Sequence, residues 1–206
     1  MAWIKTIGYE DAKGKLKAIY DRVKGPDNNI DNILMAHSLR PHTLEGHMTL
    51  YKYVLHHPQN KIPKWLLEAV GTYVSILNEC SYCIEHHFQG LRRLVDDDVR
   101  SNSMRTAFEA GETQPLLDAG HIDMRDKAAL DYAARLTTKP TSITPTHLDE
   151  MRAAGLDDGE ILEINQVAAY FGYANRTVLG LGINTDGDIV GLSPNDSSDP
   201  DNWGHQ

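Results

Sequence analysis

"IPKWLLEAVGTYVSILNECSYCIEHH", residues 62–87, decides the fold. Pro63 stands where a helix accepts its first residue, because the missing N–H would have been unpaired there anyway. The stretch that follows, "WLLEAVGTYVSILN", is apolar nearly all round, the pattern of a central helix buried on most sides. Its one charge is Glu68. A lone carboxylate in such a helix is costly unless it is paired or hydrogen-bonded, so it needs a reason. Asn78-Glu79 reads as a tight bend, and "CSYCIEHHFQGLRRLV" opens a second helix.

Outward from this pair, the chain reads as helix throughout. In "YEDAKGKLKAIYDRVKG" the residues Ala12, Leu16, Ile19, Tyr20 and Val23 follow a 3.6-residue period, stopped by Gly25-Pro26. Ile33, Leu34 and Met35 begin an apolar stretch closed by Pro41, and "TLEGHMTLYKYVLHH" gives another before Pro58. Residues 96–137 supply solvated helices, punctuated by Gly111, Pro115 and Gly120. Asp96-Asp97-Asp98 begins the first of them, where negative charge suits the helix dipole. "TPTHLDEMRAAG" has Thr144 as N-cap, Pro145 in first position and Gly155 as stop. "DDGEILEINQVAAYFGYANRTVLGLG" opens with Asp157 and Glu160 at capping-box spacing. No alternating strand pattern occurs, so the fold class is all-α. Residues 63–95 and 157–181 resemble two halves of an internal repeat, too faintly to carry an argument. The expected organisation is one helical domain over 1–185 and a polar tail over 186–206, irregular or partly disordered because it is rich in turn formers.

The totals exclude several functions. The 206 residues carry a formal net charge of −9, which argues against nucleic acid and anionic membranes as partners. No run of about 18 apolar residues predicts a membrane span. The N-terminus lacks the apolar core of a signal peptide. Two cysteines are too few for a secreted disulfide scaffold, so the chain is expected in the cytoplasm, where a close cysteine pair is more often catalytic or metal-binding.

Both cysteines, Cys80 and Cys83, fall at the start of the second helix, where unpaired N–H groups and the dipole favour a thiolate. His87 lies four residues after Cys83 and shares its helix face, placed to take the thiol proton. His86 points about 100° away from that face and reads as a surface residue. Cys80, Cys83 and His87 thus supply a nucleophile, a resolving thiol and a base. Two other readings fit the same residues. Two thiolates and His87, with Glu68 as a fourth ligand, would suit zinc, and two cysteines can simply be buried. Haem attachment is excluded, since Ile84 follows the second cysteine where a histidine is required.

Glu68, Cys80, Cys83 and His87 reproduce E-x11-C-x2-C-x3-H, and the chain here resembles the alkyl hydroperoxidase D group of the carboxymuconolactone decarboxylase-like superfamily. "IPKWLLEAVGTYVSILNECSYCIEHH" and "MRAAGLDDGEILEINQVAAYFGYANRTVLGLGI" are similar to signature stretches of its peroxidase-related branch, so the resemblance spans roughly residues 1–185. It implies an all-helical homo-oligomer, a trimer or hexamer, that reduces hydroperoxides through a CxxC dithiol with no metal or organic cofactor. It implies Cys83 as the sulfenic acid, Cys80 as proton donor and resolving partner, and Glu68 with His87 as a proton relay through a water. Where the best-known members have His between the cysteines, this chain has Tyr82, which implies a relay wired differently. An external dithiol would restore the pair.

The rival from another class is a non-catalytic helical oligomer whose cysteine–histidine cluster binds zinc or senses redox state. His37, His42, His47, His56 and His57 show no ligand spacing and read as surface or loop residues. Arg176, alone in an apolar helix, reads as a buried structural guanidinium paired with a carboxylate. Tyr73, Tyr170, Phe171 and Tyr173 are expected in the core or a pocket wall.

Overall fold

Ten consecutive residues, Leu66 to Ser75, are all buried in the computed structural model, which describes residues 2–193, 199 and 202–205. They belong to one of ten α-helices found among those residues: α1 (Gly14–Val23), α2 (Asn32–Ala36), α3 (Pro41–Leu55), α4 (Lys64–Leu77), α5 (Ser81–Val95), α6 (Asp98–Ala110), α7 (Gln114–Asp118), α8 (Met124–Thr138), α9 (Pro145–Ala153) and α10 (Asp158–Leu181). No strand occurs among the described residues, and the chain is all-α. As its pattern requires, α4 is the hub, packed against α5, α10, α8 and α6.

Local chemistry sets the helix limits. Pro63 caps α4 from one position outside it, so the helix starts at Lys64. Asp157 accepts from the Glu160 N–H at 2.8 Å while Glu160 accepts from the Asp157 N–H at 2.9 Å, the capping box read from the sequence. At Thr144 the reciprocal partner is His147, whose Nδ1 accepts the Thr144 N–H at 3.1 Å. Asp97 caps α6 by accepting from the Arg100 N–H at 2.9 Å, which places the acidic run at a helix start as expected.

The close approach of α4 and α10 depends on Gly71. A Cβ there would lie 2.2 Å from Phe171 Cε2, and the Phe171 ring is fully buried. Tyr73 and Phe171 fill the core, Tyr170 is buried beside a cavity, and Tyr173 is exposed. Arg176 differs from its expected role. It is exposed and donates to the Gly172 carbonyl of its own helix at 2.6 Å, because its position on α10 faces away from the hub and needs no carboxylate.

The described residues of the polar tail form no helix and pack on the helices of the domain. Asn32 Nδ2 donates to the carbonyls of Asn184 at 2.9 Å and Asp186 at 3.0 Å. Trp203 is buried beneath the Arg22 guanidinium, 3.8 Å from the ring centre, and Lys52 donates to the carbonyls of Asp199 and Asn202. Residues 194–198, 200, 201 and 206, for which disorder is also expected, lie outside the described residues. Among the described residues no helix is long and apolar enough to cross a membrane.

Replacing Gly71 with alanine sets two effects against each other. Alanine gains about 1 kcal/mol of helix propensity over glycine, but overpacking a core costs about 1–3 kcal/mol. With three Phe171 ring carbons at 2.2–3.0 Å from the added Cβ, the clash wins. Gly71→Ala should lower the stability measured by urea unfolding, and unchanged or raised stability would contradict this account of the α4–α10 contact.

Candidate active site

The α4–α5 bend places the cysteines. Glu79 takes a left-handed conformation at φ 56°, and the Cys80 N–H donates back to the Ser75 carbonyl at 2.9 Å. Cys80 therefore caps α5, and Cys83 lies in its first turn. The two sulfurs are 2.7 Å apart and both residues are buried. Cys80 is fully covered, whereas Cys83 faces a cavity.

The thiols are not equivalent. The hydrogen bond with Cys83 lowers the Cys80 pKa most, against the opposing effect of burial, and the Cys83 N–H and Asn175 side chain add to the lowering. Burial pushes the Cys83 thiol well up, and the hydrogen bond and charge of Cys80 raise it further. The contact thus shifts the two thiols in opposite directions, Cys80 down and Cys83 up. The helix dipole favours both thiols alike, and burial and sulfur–sulfur contact create the difference.

Asn175, absent from the sequence reading, holds this arrangement from α10. It accepts from Asn78 Nδ2 at 2.9 Å, donates to Ser75 Oγ at 3.1 Å and is fully buried against the sulfurs. Its signal was an amide inside an apolar helix, next to the more conspicuous Arg176.

Glu68 has its reason. His87 Nδ1 donates to Glu68 Oε2 at 2.8 Å, and His56 Nε2 lies 3.9 Å from the other carboxylate oxygen. Burial alone would raise the Glu68 pKa, but the charge and hydrogen bond of His87, with His56 and Arg93, hold it below the usual value. The His87 ring is fixed edge-on to Phe171, with centroids 4.5 Å apart. All four residues of the motif therefore meet: Glu68, Cys83 and His87 line one cavity, and Cys80 stands directly behind Cys83.

Three further histidines, His47, His86 and His205, line that cavity, and His56 touches Glu68 just beside it. His47, His56 and His86 are buried, contrary to the surface reading, because α3 and α5 turn those positions inward against α4 and α10. His42 is exposed, and His37 and His57 are half-buried. Burial depresses His47 to about 3 and His56 and His205 to about 4, so all three are neutral near pH 7. Among the described residues no group of three or more His, Cys, Asp or Glu side chains is arranged to hold a metal ion.

Tyr82, between the cysteines, has a partner from far along the chain. Its hydroxyl donates to Asp188 Oδ2 at 2.7 Å and accepts from the Ile33 N–H at 3.2 Å. Asp188 also accepts from the Asn32 N–H at 3.0 Å, and His86 Nε2 lies 3.3 Å from it without the alignment of a hydrogen bond. Asp31 borders the same cavity, where burial raises its carboxyl to about 6.

No protein-family model matches the chain, and no curated protein does. Solved structures do. The alkylhydroperoxidase AhpD core of Ralstonia eutropha JMP134, an uncharacterized peroxidase-related protein, superposes with a TM-score of 0.72 at 16% identity, over 89% of this chain and 91% of that one. An uncharacterized peroxidase-related protein from Silicibacter sp. TM1040 gives 0.65 at 22% identity, over 76% and 78%. The debrominase Bmp8 gives 0.65 at 20% identity, over 87% and 89%. These likenesses, with the helix order described above, show that the chain has the all-helical alkyl hydroperoxidase D-like fold.

Proposed function

We propose that the protein is a dithiol peroxidase, an oxidoreductase that reduces hydroperoxides through Cys83 and Cys80. One observation carries the reading. The two sulfurs are 2.7 Å apart, and the outer one shares a cavity with a buried carboxylate–histidine pair. The cavity offers about 40 Å³ to water-sized molecules. A site for a water needs roughly 10–15 Å³, so a relay water and a small peroxide both have room.

In this scheme His87 takes the Cys83 proton through the cavity as substrate arrives. The Cys83 thiolate attacks the terminal peroxide oxygen, an S–O bond forms and the O–O bond breaks. The departing alkoxide or hydroxide takes a proton from His87 through the cavity, while Glu68 stabilises the charged ring. Cys80 then displaces hydroxide from the Cys83 sulfenic acid, which leaves as water and gives the disulfide. An external dithiol returns two electrons and two protons. The chemistry needs no metal or organic cofactor, and a pair cycled by dithiols suits the reducing cytoplasm.

Separate Cys→Ser variants test the roles. Cys83→Ser should abolish oxidation by peroxide, because a serine hydroxyl is neither ionised at neutral pH nor a comparable nucleophile. Cys80→Ser should keep a reactive Cys83 but strand it as a sulfenic acid that a dimedone trap captures. Mass spectrometry after one equivalent of peroxide reads both. Trapping at Cys80 in Cys83→Ser, with none at Cys83 in the reciprocal variant, would reverse the assignment. The likeness to a debrominase makes a halogenated aromatic the control substrate. Thiol loss with it and none with hydroperoxide would move the dithiol to reductive dehalogenation. Stoichiometric zinc with slow oxidation would favour the binding or sensing rival.

The proposal includes a homo-oligomer, a trimer or hexamer. Leu50 and Tyr53 on α3, and Leu162, Tyr173 and Leu179 on α10, are each more than two-fifths exposed. The two helices pack together, and association would cover such side chains. Sedimentation at micromolar concentration should show the assembly, and a monomer alone would contradict it.

A further inference from the structure

Part of the cavity wall comes from beyond α10, from the end of the segment 184–193 and from His205. Gly191, Leu192 and Ser193 border the same space as Cys83 and His87. This segment is fastened at several points. The Asp188 side chain is 1% exposed and accepts from the Tyr82 hydroxyl and the Asn32 N–H. Asn32 holds the carbonyls of Asn184 and Asp186, and Arg93 donates to the Gly191 carbonyl. Gly191 adopts φ 90°, and a Cβ there would lie 2.7 Å from Gln89 Cβ, so its backbone lies directly on α5. Leu192 reaches across to Gly25, where a Cβ would meet its Cδ1 at 2.8 Å.

A buried carboxylate whose oxygens are bonded to a tyrosine hydroxyl and a backbone amide makes a fixed latch. The space beside the latch is narrow, with about 40 Å³ in which the centre of a water-sized molecule can lie. Hydrogen peroxide fits such a volume together with a relay water. A phenyl ring on a branched carbon is far bulkier, and it would have to share that space with Gly191, Leu192 and Ser193.

We propose that residues 184–193, latched through Asp188 to Tyr82, form a specificity wall that admits hydrogen peroxide to Cys83 and excludes bulky organic hydroperoxides. The inference rests on the peroxidase reading and names its substrate class. Tyr82, standing where the resemblance implies a histidine, is on this account a positioning residue that anchors the wall.

The test uses the full reduced chain and follows thiol loss in rapid-quench experiments with hydrogen peroxide and with cumene hydroperoxide. Steric discrimination in a pocket runs to about 10–200-fold, so the wild type should favour hydrogen peroxide by at least about tenfold. Asp188→Ala cuts the latch and Leu192→Ala thins the wall without touching the latch. Each should raise the cumene-to-hydrogen-peroxide rate ratio by about tenfold, within the same range. Equal wild-type rates, or a ratio unmoved in both variants, would overturn the proposal. Circular dichroism and thermal melts check folding, and Leu192→Ala carries the test if Asp188→Ala fails to fold. Alkylation by iodoacetamide and by a pyrene-bearing maleimide separates this inference from the peroxidase reading. If neither peroxide oxidises the dithiol, the function falls, and the wall is judged by alkylation alone. Selective gain of the bulky reagent in the variants supports it, and equal wild-type labelling by both reagents overturns it.

Discussion

A carboxylate inside the hub helix is the constraint around which the rest is arranged. Leaving Glu68 unpaired among Leu66, Leu67, Ala69 and Val70 would strand a charge at a typical cost of about 3–5 kcal/mol. The fold answers with His87 at 2.8 Å and His56 behind it. That contact fixes how α5 lies on α4, and the bend at Glu79 then leaves the cysteines no freedom in where they emerge. A structural pairing would have been satisfied by a guanidinium at lower risk. A histidine pairs and also carries a movable proton, and its ring borders the cavity that Cys83 faces.

The cysteine pair shows why residue type and spacing are only half of a reactive site. Both thiols sit at one helix start, so the dipole favours both alike. Burial and mutual contact split them. Cys80 gains from the hydrogen bond of its neighbour, while Cys83, hemmed in and facing a charged partner, is pushed the other way. The sulfur that faces the cavity is thus the harder of the two to ionise, and the fully covered one the easier.

Much of this was legible in the sequence because it is local. The apolar run 65–78, the break at Asn78-Glu79, the acidic helix start at 96–98 and the caps at Thr144 and Asp157 are set by residues within a few positions of one another, and they recur in the structure. Glu68, Cys80, Cys83 and His87 meet because helical periodicity relates the last three and the first had to be paired. What escaped is long-range. Asn175 reaches the sulfurs across about a hundred residues, and Asp188 reaches Tyr82 across 106. His47, His56 and His86 read as surface residues because a histidine carries no sign of which helix will cover it. Arg176 drew attention as the charge in an apolar helix, although the exposed side of α10 accommodates it. Polarity gives no sign that Asn184, Asp186 and Asp188 are tied down by buried hydrogen bonds to Asn32 and Tyr82.

The central claim is that the buried Glu68–His87 pair drives the chemistry of the dithiol rather than only holding two helices together. The most direct measurement is the rate of thiol oxidation by hydrogen peroxide in Glu68→Gln, compared with wild type by rapid quench, with unfolding curves for both proteins. Glutamine keeps the shape and a hydrogen bond but removes the charge that stabilises a protonated His87. The account predicts a folded variant that reacts about 10²–10⁴-fold more slowly, the span of general acid–base catalysis. A variant of altered stability that oxidises at the wild-type rate, or a wild type no faster than free cysteine, would contradict it.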